Sequence, residues 1–390
     1  MHDVIIIGAG IAGLMAAQQI SPDADFLVLE SKNEIGYPLR CGEGIREKVF
    51  VEFFKHTSYP FVQNRVKEHV IIVNNLRRPV KENYILVDKP KFEQWLAEPV
   101  QKSIRLKHHV ATITPTGQYV ELSTDKGVFQ TKLVIIATGA AFTLQKRLGL
   151  CGPEKEVYLG FGGIYKNHAW DKDKFYFIFD EQHSGGFWIF PKDDTLANIG
   201  FGGINTNVKE AFYHLLQKYA PQAICVKNYA GLIDCTGPIR KTYSERVIVC
   251  GGAAGLVHAA SGEGIQYALI SGKIAGDCAQ NALIKNNFSE QFLSQYELAW
   301  KKEIGTELFN SLDLHMLMRL GFKYTVAERL FREPSDDETQ LMLSKGILPR
   351  RAQLAVKLIR LFGLYDKDLT KKPVSKRLRY AYSIGKMLTR

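Results

Sequence analysis

The sequence predicts an α/β protein with three parts: a domain built on a parallel sheet, an inserted antiparallel β-sheet, and a C-terminal helical region. Three observations predict this fold. The chain opens on an apolar strand, a glycine-rich turn and a helix, segments 132–140 and 246–276 also carry apolar strands that run into glycines, and residues 174–190 alternate aromatic side chains around a turn. With 390 residues, 46% of them hydrophobic, the chain can fill the cores of two or three domains.

The first element is the segment DVIIIGAGIAGLMAAQQI, which reads as a buried strand, a turn and a helix; DFLVLE follows as a second strand that ends at Glu30. Gly8, Gly10 and Gly13 have the spacing G-x-G-x-x-G. These glycines allow a tight turn, close approach of the backbone to a pyrophosphate, and close packing of the helix on the strand. Glu30 can accept hydrogen bonds from a ribose diol. Strand, helix and acidic residue together predict a Rossmann-like dinucleotide-binding unit.

The two later glycine segments indicate which dinucleotide binds. KLVIIATGA ends in Thr138 and Gly139, and RVIVCGGAAGLVHAASGEGIQYALISGKIAG contains two glycine turns and a long helix, for which Ser261 is a candidate N-cap. Three separated segments can contact one ligand only if that ligand is long. FAD fits, with its adenosine end at Glu30 and near Val110, and its flavin at the third segment. The positive N-terminal end of the long helix would stabilise the anionic form of the reduced flavin ring.

The aromatic segment KFYFIFDEQHSGGFWIF has the pattern of a β-hairpin. On its first strand Phe175, Phe177 and Phe179 lie on one face, and Tyr176 and Ile178 on the other. Two interpretations stay open: these rings fill the core of a sheet, or the sheet forms one wall of an apolar tunnel.

The domain boundaries follow from these elements, with a helix starting at about Lys89. We predict a discontinuous FAD-binding domain at 1–60, 85–155 and 240–290, an antiparallel-sheet substrate domain at 61–84 and 156–239, and a helical, basic region at 291–390.

The six cysteines bear on compartment and chemistry. None forms a CxxC pair or has zinc-ligand spacing, so we expect no metal site. The N-terminus shows no secretory signal and no apolar run is long enough to span a bilayer, which predicts a cytoplasmic protein with reduced thiols. Cys41 lies in the loop YPLRCGEGI, and two interpretations remain for it: a reactive thiol, or a small residue that fits the turn.

The net charge of +11 is concentrated at the C-terminus. Residues 341–390 hold thirteen Lys or Arg against Asp366 and Asp368. LAVKLIRLFGLY and RLRYAYSIGKML interleave apolar and basic residues at helical spacing, so this tail either rests on the inner face of an anionic membrane or packs its apolar faces on the protein. No nucleic-acid-binding motif accompanies the charge, and we expect no nucleic-acid partner.

Four blocks resemble the geranylgeranyl reductase family of FAD-dependent proteins, over residues 1 to about 285: GAGIAG, GYPLRCGEGI, GGFWIFPKDDTLANIGFGG and GGAAGLVHAASGEGIQYALISG. The resemblance implies saturation of isolated double bonds in a prenyl-chain lipid or isoprenoid diphosphate. It places Cys41 in a loop beside the flavin. It also implies a transient electron donor, either NADPH or a ferredoxin-like carrier, because no second dinucleotide motif is present. The substrate residues that it implies are Phe187, Trp188, Phe190 and Pro191.

The sequence departs from the family at one important position. Gly252 stands where the family usually has an Asp that bonds the ribityl chain, and His258 and Ala259 follow as further differences. Loss of a charged acceptor costs about 1.5 to 3 kcal/mol. The candidate cofactor-binding residues are Gly8, Gly10, Ile11, Ala12, Gly13, Glu30, Ser31, Arg40, Cys41, Gly42, Val110, Ala137, Thr138, Gly139, Gly251, Gly252, Gly262, Gly264 and Ile265.

Reduction of an unactivated alkene needs a proton together with a hydride, because hydride alone would leave an unstabilised carbanion. Cys41, Glu43 and His258 are the candidate acids, and Glu43 could instead cap the loop. Two alternatives to a reductase stay open. They are a flavin-dependent hydroxylase with the same fold, and a degenerate prenyl-lipid-binding flavoprotein without turnover.

Overall fold

The computed structural model describes residues 1–323 apart from 75, 152–156, 181, 184 and 204–205, together with residues 338 and 353. The strands are β1 His2–Ile7, β2 Phe26–Leu29, β3 Gly44–Arg46, β4 Val62–Val66, β5 Glu68–Val73, β6 Leu76–Val80, β7 Tyr84–Val87, β8 Ile104–Arg105, β9 Val110–Pro115, β10 Val120–Thr124, β11 Gly127–Ile136, β12 Tyr158–Lys166, β13 Lys174–Phe179, β14 Gly185–Pro191, β15 Leu196–Gly203, β16 Ile224–Ile233, β17 Tyr243–Ser244 and β18 Val247–Val249. The helices are α1 Ile11–Ala17, α2 Glu47–Phe54, α3 Lys89–Ala97, α4 Thr143–Arg147, α5 Val208–Tyr219, α6 Ile265–Lys285, α7 Glu290–Trp300 and α8 Thr306–Lys323.

The first sheet is the predicted parallel one. Its main path is β17-β18-β11-β1-β2-β8, and β1 pairs in parallel with both β2 and β11, while β11 pairs in parallel with β18. Val4, Ile5 and Ile6 of β1 have no exposed surface, as expected for a parallel strand covered on both faces. Because the carboxyl ends of parallel strands meet at one edge, the glycine turns after β1, β11 and β18 come together there.

The second sheet is antiparallel for most of its width and has the order β16-β12-β15-β14-β13-β5-β6. The hairpin of β13 and β14 is present, with Phe177 opposite Trp188. Tyr176 and Ile178 pack into the core under α5, whereas Phe175 and Phe177 line a groove on the other face. The sheet therefore serves both of the purposes that the sequence left open.

A small sheet, β3-β7-β4, carries the loop of Cys41 into β3. The C-terminal part of the described chain is helical, with α7 and α8 joined by a π-helical turn at Lys301–Gly305. Among the described residues, no helix is both long enough and apolar enough to cross a membrane. The basic segments of residues 341–390 lie outside the described residues, and the domain boundaries given above remain a prediction.

Candidate active site

One groove of about 1090 Å³ runs from the glycine turns of the first sheet to the inner face of the second sheet. Most of the predicted site residues line it. On its wall are Gly8, Gly10, Ile11, Ala12, Glu30, Ser31, Arg40, Cys41, Gly42, Glu43, Val110, Ala137, Thr138, Gly139, Phe187, Trp188, Phe190, Gly252, Gly262, Gly264 and Ile265. Residues that were chosen from widely separated stretches of sequence thus meet at one site.

Four predicted residues do not line this groove. Gly13 packs behind the first glycine turn, where a Cβ would lie 1.9 Å from the Gly8 carbonyl oxygen. A Cβ on Gly251 would lie 2.7 Å from the Cβ of Ala12, and the carbonyl oxygen of Pro191 accepts a hydrogen bond from Asn64 Nδ2 at 2.8 Å. The fourth residue, His258, is buried away from the groove. The two glycines support the turns from behind.

The first turn leaves no room for a side chain. Gly8 has φ +105°, and a Cβ there would lie 2.5 Å from the carbonyl oxygen of Ala137. The carboxylate of Glu30 fixes the same turn, because it accepts hydrogen bonds from the N–H of Ala9 at 2.8 Å and the N–H of Lys32 at 2.9 Å. Glu30 therefore holds the glycine turn in place and lines the groove as well.

Two buried polar atoms in this groove have no partner within the described residues: Thr138 Oγ1 and Glu93 Oε2. The other carboxylate oxygen of Glu93 bonds Lys89 Nζ at 2.6 Å and lies 3.7 Å from where a Cβ on Gly10 would be. A buried polar atom without a partner is costly unless a ligand satisfies it. The long groove, the tight glycine turns and these two atoms fit the hydroxyl-rich, extended shape of FAD.

The loop before β3 presents Cys41 to the groove. Cys41 is a free thiol whose Sγ accepts a hydrogen bond from the N–H of Glu43 at 3.3 Å. Burial raises the pKa of the Cys41 thiol, which keeps it protonated at neutral pH. The side chain that faces the groove therefore carries a proton that it can donate.

Glu43 is held by three donors. Its carboxylate pairs with Lys192 Nζ at 2.6 Å and accepts hydrogen bonds from Asn198 Nδ2 at 2.9 Å and from the N–H of Lys89 at 3.1 Å. The residue is 1% exposed. The carboxylate oxygens accept from all three donors, so the geometry favours the capping role over the acid role that the sequence left open.

The structure argues against His258 as the proton donor. Burial lowers the pKa of its imidazole to about 4, so the ring is neutral at pH 7. Its Nδ1 lies 2.8 Å from Ser261 Oγ, and the residue does not line the groove.

The same contact bears on the start of α6. Ser261 bonds His258, and α6 begins only at Ile265 with Gly264 as N-cap, so the sequence-based assignment of Ser261 as N-cap is wrong.

A carboxylate that sequence reasoning missed lies beside the third glycine turn. Burial opposes ionisation of Glu263, but Arg46 and then His258 outweigh it and lower the pKa of Glu263 to about 2. Glu263 accepts a hydrogen bond from Tyr84 OH at 2.8 Å and pairs with Arg46 Nε at 3.3 Å. It places a negative charge near the turn where the sequence predicted only a positive helix end. Arg46 neutralises that charge.

The far wall of the groove is aromatic. Phe175 and Phe190 stack with ring centroids 4.5 Å apart, and Phe177 meets Phe190 edge-on at 5.0 Å. The indole of Trp188 packs against Gly200, where a Cβ would be 2.1 Å from a ring carbon. This part of the groove suits an apolar, flexible chain.

Comparisons with known proteins agree with this geometry. Residues 5–174 match the pyridine nucleotide-disulphide oxidoreductase family, and residues 162–238 match the geranylgeranyl reductase catalytic domain. The digeranylgeranylglycerophospholipid reductases of Methanococcus vannielii and Methanocaldococcus jannaschii are each 30% identical to this chain; the matches cover 82% and 78% of this chain and 87% and 83% of theirs.

Among solved structures, a geranylgeranyl bacteriochlorophyll reductase-like protein from Thermoplasma acidophilum has a TM-score of 0.74 and 20% identity, over 91% of this chain and 95% of that one. This likeness confirms the predicted α/β fold. The sequence matches confirm an FAD-dependent oxidoreductase, as the sequence analysis predicted. The chain belongs to the geranylgeranyl reductase family.

Proposed function

We propose that the protein is an FAD-dependent reductase that saturates carbon–carbon double bonds in the prenyl chains of a digeranylgeranyl glycerophospholipid. One observation carries the proposal: a single groove joins the nucleotide-binding glycine turns to an aromatic chamber, and the thiol of Cys41 lies between them. The two relatives named above act on such a lipid according to their names. The aromatic wall of this chain suits its prenyl arms.

The reduction adds one hydride and one proton across each double bond. Reduced FAD, when bound, supplies the hydride. Cys41 donates the proton from Sγ to the other carbon of the bond, and water then returns a proton to the thiolate. Phe190 and Trp188 hold the chain against the groove wall, and Glu43 fixes the loop that presents the thiol.

The turn at Gly8 and Gly10 would hold the pyrophosphate of FAD, and Glu30 would hold its adenosine ribose. Glu93 and Thr138 would accept hydrogen bonds from hydroxyl groups of the cofactor, which compensates in part for the missing acid at Gly252. The electron donor visits transiently, as NADPH or a ferredoxin-like carrier. Contact with a membrane surface would give the protein access to its lipid.

The test is an anaerobic assay with chemically reduced protein and a digeranylgeranyl glycerophospholipid, analysed by mass spectrometry. We expect products heavier by two hydrogens for each double bond reduced. Product that forms only when oxygen is admitted would identify a hydroxylase instead. Protein that takes up FAD but leaves the lipid unchanged under both conditions would identify a lipid-binding flavoprotein without turnover.

A further inference from the structure

Asn198 lies within β15 on the groove side of the second sheet and has no exposed surface. Its amide makes four hydrogen bonds. Oδ1 accepts from Trp188 Nε1 at 3.0 Å and from Tyr229 OH at 2.6 Å. Nδ2 donates to the carbonyl oxygen of Cys41 at 2.8 Å and to Glu43 Oε2 at 2.9 Å. These four bonds use the whole bonding capacity of the amide.

The orientation of this amide is fixed by chemistry. The indole N–H of Trp188 can only donate, and the main-chain carbonyl of Cys41 can only accept. Rotating the amide by half a turn would set donor against donor and acceptor against acceptor. Asn198 therefore joins two specific structures across the groove: the tryptophan of the aromatic wall and the loop that carries the thiol.

The Cys41 loop has a strained backbone that such hydrogen bonds stabilise. Glu43 has φ +72°, a conformation that residues other than glycine rarely adopt. Its ion pair with Lys192 holds the side chain, and the bond from Asn198 to the carbonyl oxygen holds the main chain of Cys41. The direction of the Cys41 side chain follows from the position of that main chain.

We propose that Asn198 is a positioning residue for the reduction, which holds the Cys41 loop so that the thiol faces the prenyl chain lying against Trp188. The proposal rests on the proposed function for its effect on catalysis. A donor displaced by about 1 Å from the reacting carbon loses on the order of a hundred-fold in rate. Loss of the bond from Asn198 to Cys41 permits a displacement of that size.

Two substitutions distinguish the role of the accepting oxygen of the amide from that of its donating nitrogen. Asn198→Asp keeps an acceptor for Trp188 and Tyr229 but replaces the donor to the Cys41 loop by an oxygen that repels the Cys41 carbonyl and the Glu43 carboxylate. Asn198→Leu removes all four bonds. The control is Asn228→Leu on β16, which β12 separates from β15; the side chain of Asn228 accepts a hydrogen bond from Tyr165 OH at 2.9 Å.

In the lipid assay we expect kcat to fall about ten- to a hundred-fold in both Asn198 variants. KM should stay near the wild-type value in Asn198→Asp. It should rise in Asn198→Leu, because this substitution also removes the hydrogen bond that holds the Trp188 indole. Asn228→Leu should match the wild type in both constants. The yellow absorbance of bound FAD checks that each variant is folded. If Asn198→Leu does not retain FAD, Asn198→Ser, which is smaller and polar, takes its place.

A second readout does not depend on turnover. In a Cys225→Ser background, which removes an exposed thiol, the FAD-loaded protein is treated with iodoacetamide and the modification of Cys41 is followed by peptide mass spectrometry. We expect the rate at which iodoacetamide modifies Cys41 to change at least several-fold in the Asn198 variants and to stay constant in Asn228→Leu. Unchanged Cys41 reactivity with unchanged kcat would overturn the proposal. If the alkylation rate of Cys41 changes but the protein reduces no prenyl lipid, the result would support the role of Asn198 in holding the loop and would reject the proposed function.

Discussion

At the scale of single residues, the thiol of Cys41 is the group on which the chemistry depends. Because burial raises its pKa, the proton is available at neutral pH. We expect Cys41→Ala to lower turnover by about a hundred-fold or more, with FAD still bound, since general acids contribute roughly 10² to 10⁴ in rate. Wild-type turnover measured against pH should fall only above the ordinary thiol range, about 8.5, as the thiol loses its proton.

The control for this experiment is Cys225→Ser, which changes an exposed thiol and should leave the rate and the pH profile as they are. Wild-type turnover that continues undiminished far into the alkaline range, or a Cys41→Ala protein with normal turnover, would remove Cys41 from the chemistry. The loop thiol would then be a small residue that fits the turn.

Gly252 is the residue where the resemblance to the family leads us to expect an Asp. A Cβ there would lie 3.5 Å from Gly139 Cα, an ordinary contact, so the site has room for a side chain. We expect Gly252→Asp to tighten FAD binding by about ten-fold or more, since a hydrogen bond to a charged acceptor contributes about 1.5 to 3 kcal/mol. Titration of the apoprotein with FAD measures this, and Gly252→Ala is the control. Equal affinities would mean that Glu93 and Thr138 already supply the missing acceptor.

At the scale of elements, β15 sets the depth of the groove through Gly200. Its missing side chain lets the Trp188 indole lie against the strand. We expect Gly200→Ala to push the ring into the groove, raising KM for the prenyl lipid about ten-fold while FAD affinity stays constant. The control, Gly160→Ala on β12, also lies in the groove wall but should have a smaller effect, because the nearest atoms to its Cβ would be the flexible end of the Ile233 side chain, at 3.0 Å. Similar KM values for the two variants would contradict this account of the groove.

Helix α8 shows why some of the site could not be predicted. Its Glu307 pairs with Arg46 and accepts a hydrogen bond from Tyr267 OH at 2.8 Å, and its His315 and Met318 line the groove. The contact between Glu307 and Arg46 joins residues that are 261 positions apart in the chain. Sequence periodicity indicates that a helix forms but not which distant element it packs against.

The elements that could be predicted share a local signal. The turn at Gly8, the start of α3 at Lys89 and the hairpin of β13 and β14 each have their turn residues and periodicity within one short segment. Asn198 carried a weaker signal, as a lone amide inside the apolar strand segment LANIGFGG. Its four partners come from three other segments, so its importance is visible only when they are folded together.

At the scale of the whole molecule, buried titratable groups set the response to acid. Burial lowers the pKa of both His69 and His258 to about 4, so the unfolded chain binds more protons than the folded one between about pH 6.5 and 4. The free energy of unfolding must therefore fall as the pH drops through that window. Glu263, with its pKa of about 2, extends the loss below pH 4.5.

Urea unfolding of the FAD-loaded protein at pH 7 and pH 5 checks this prediction. We expect stability to fall by about 2 kcal/mol for each of the two histidines, since one pKa unit corresponds to about 1.4 kcal/mol. His69→Phe, which keeps an aromatic ring next to Tyr84 and Phe177, should show a smaller loss than the wild type. Equal stability at the two pH values would show that the histidines are not buried as described.

The central claim is that the glycine turns of the first sheet and the aromatic wall of the second enclose one continuous site for flavin and prenyl chain. An anaerobic single turnover tests it most directly: stoichiometrically reduced protein is mixed with a digeranylgeranyl glycerophospholipid, and the yellow absorbance of oxidised flavin is followed. We predict that the colour returns as double bonds are saturated, about one flavin oxidised for each bond reduced. Flavin that stays reduced with the lipid, and is reoxidised only by oxygen, would contradict the account.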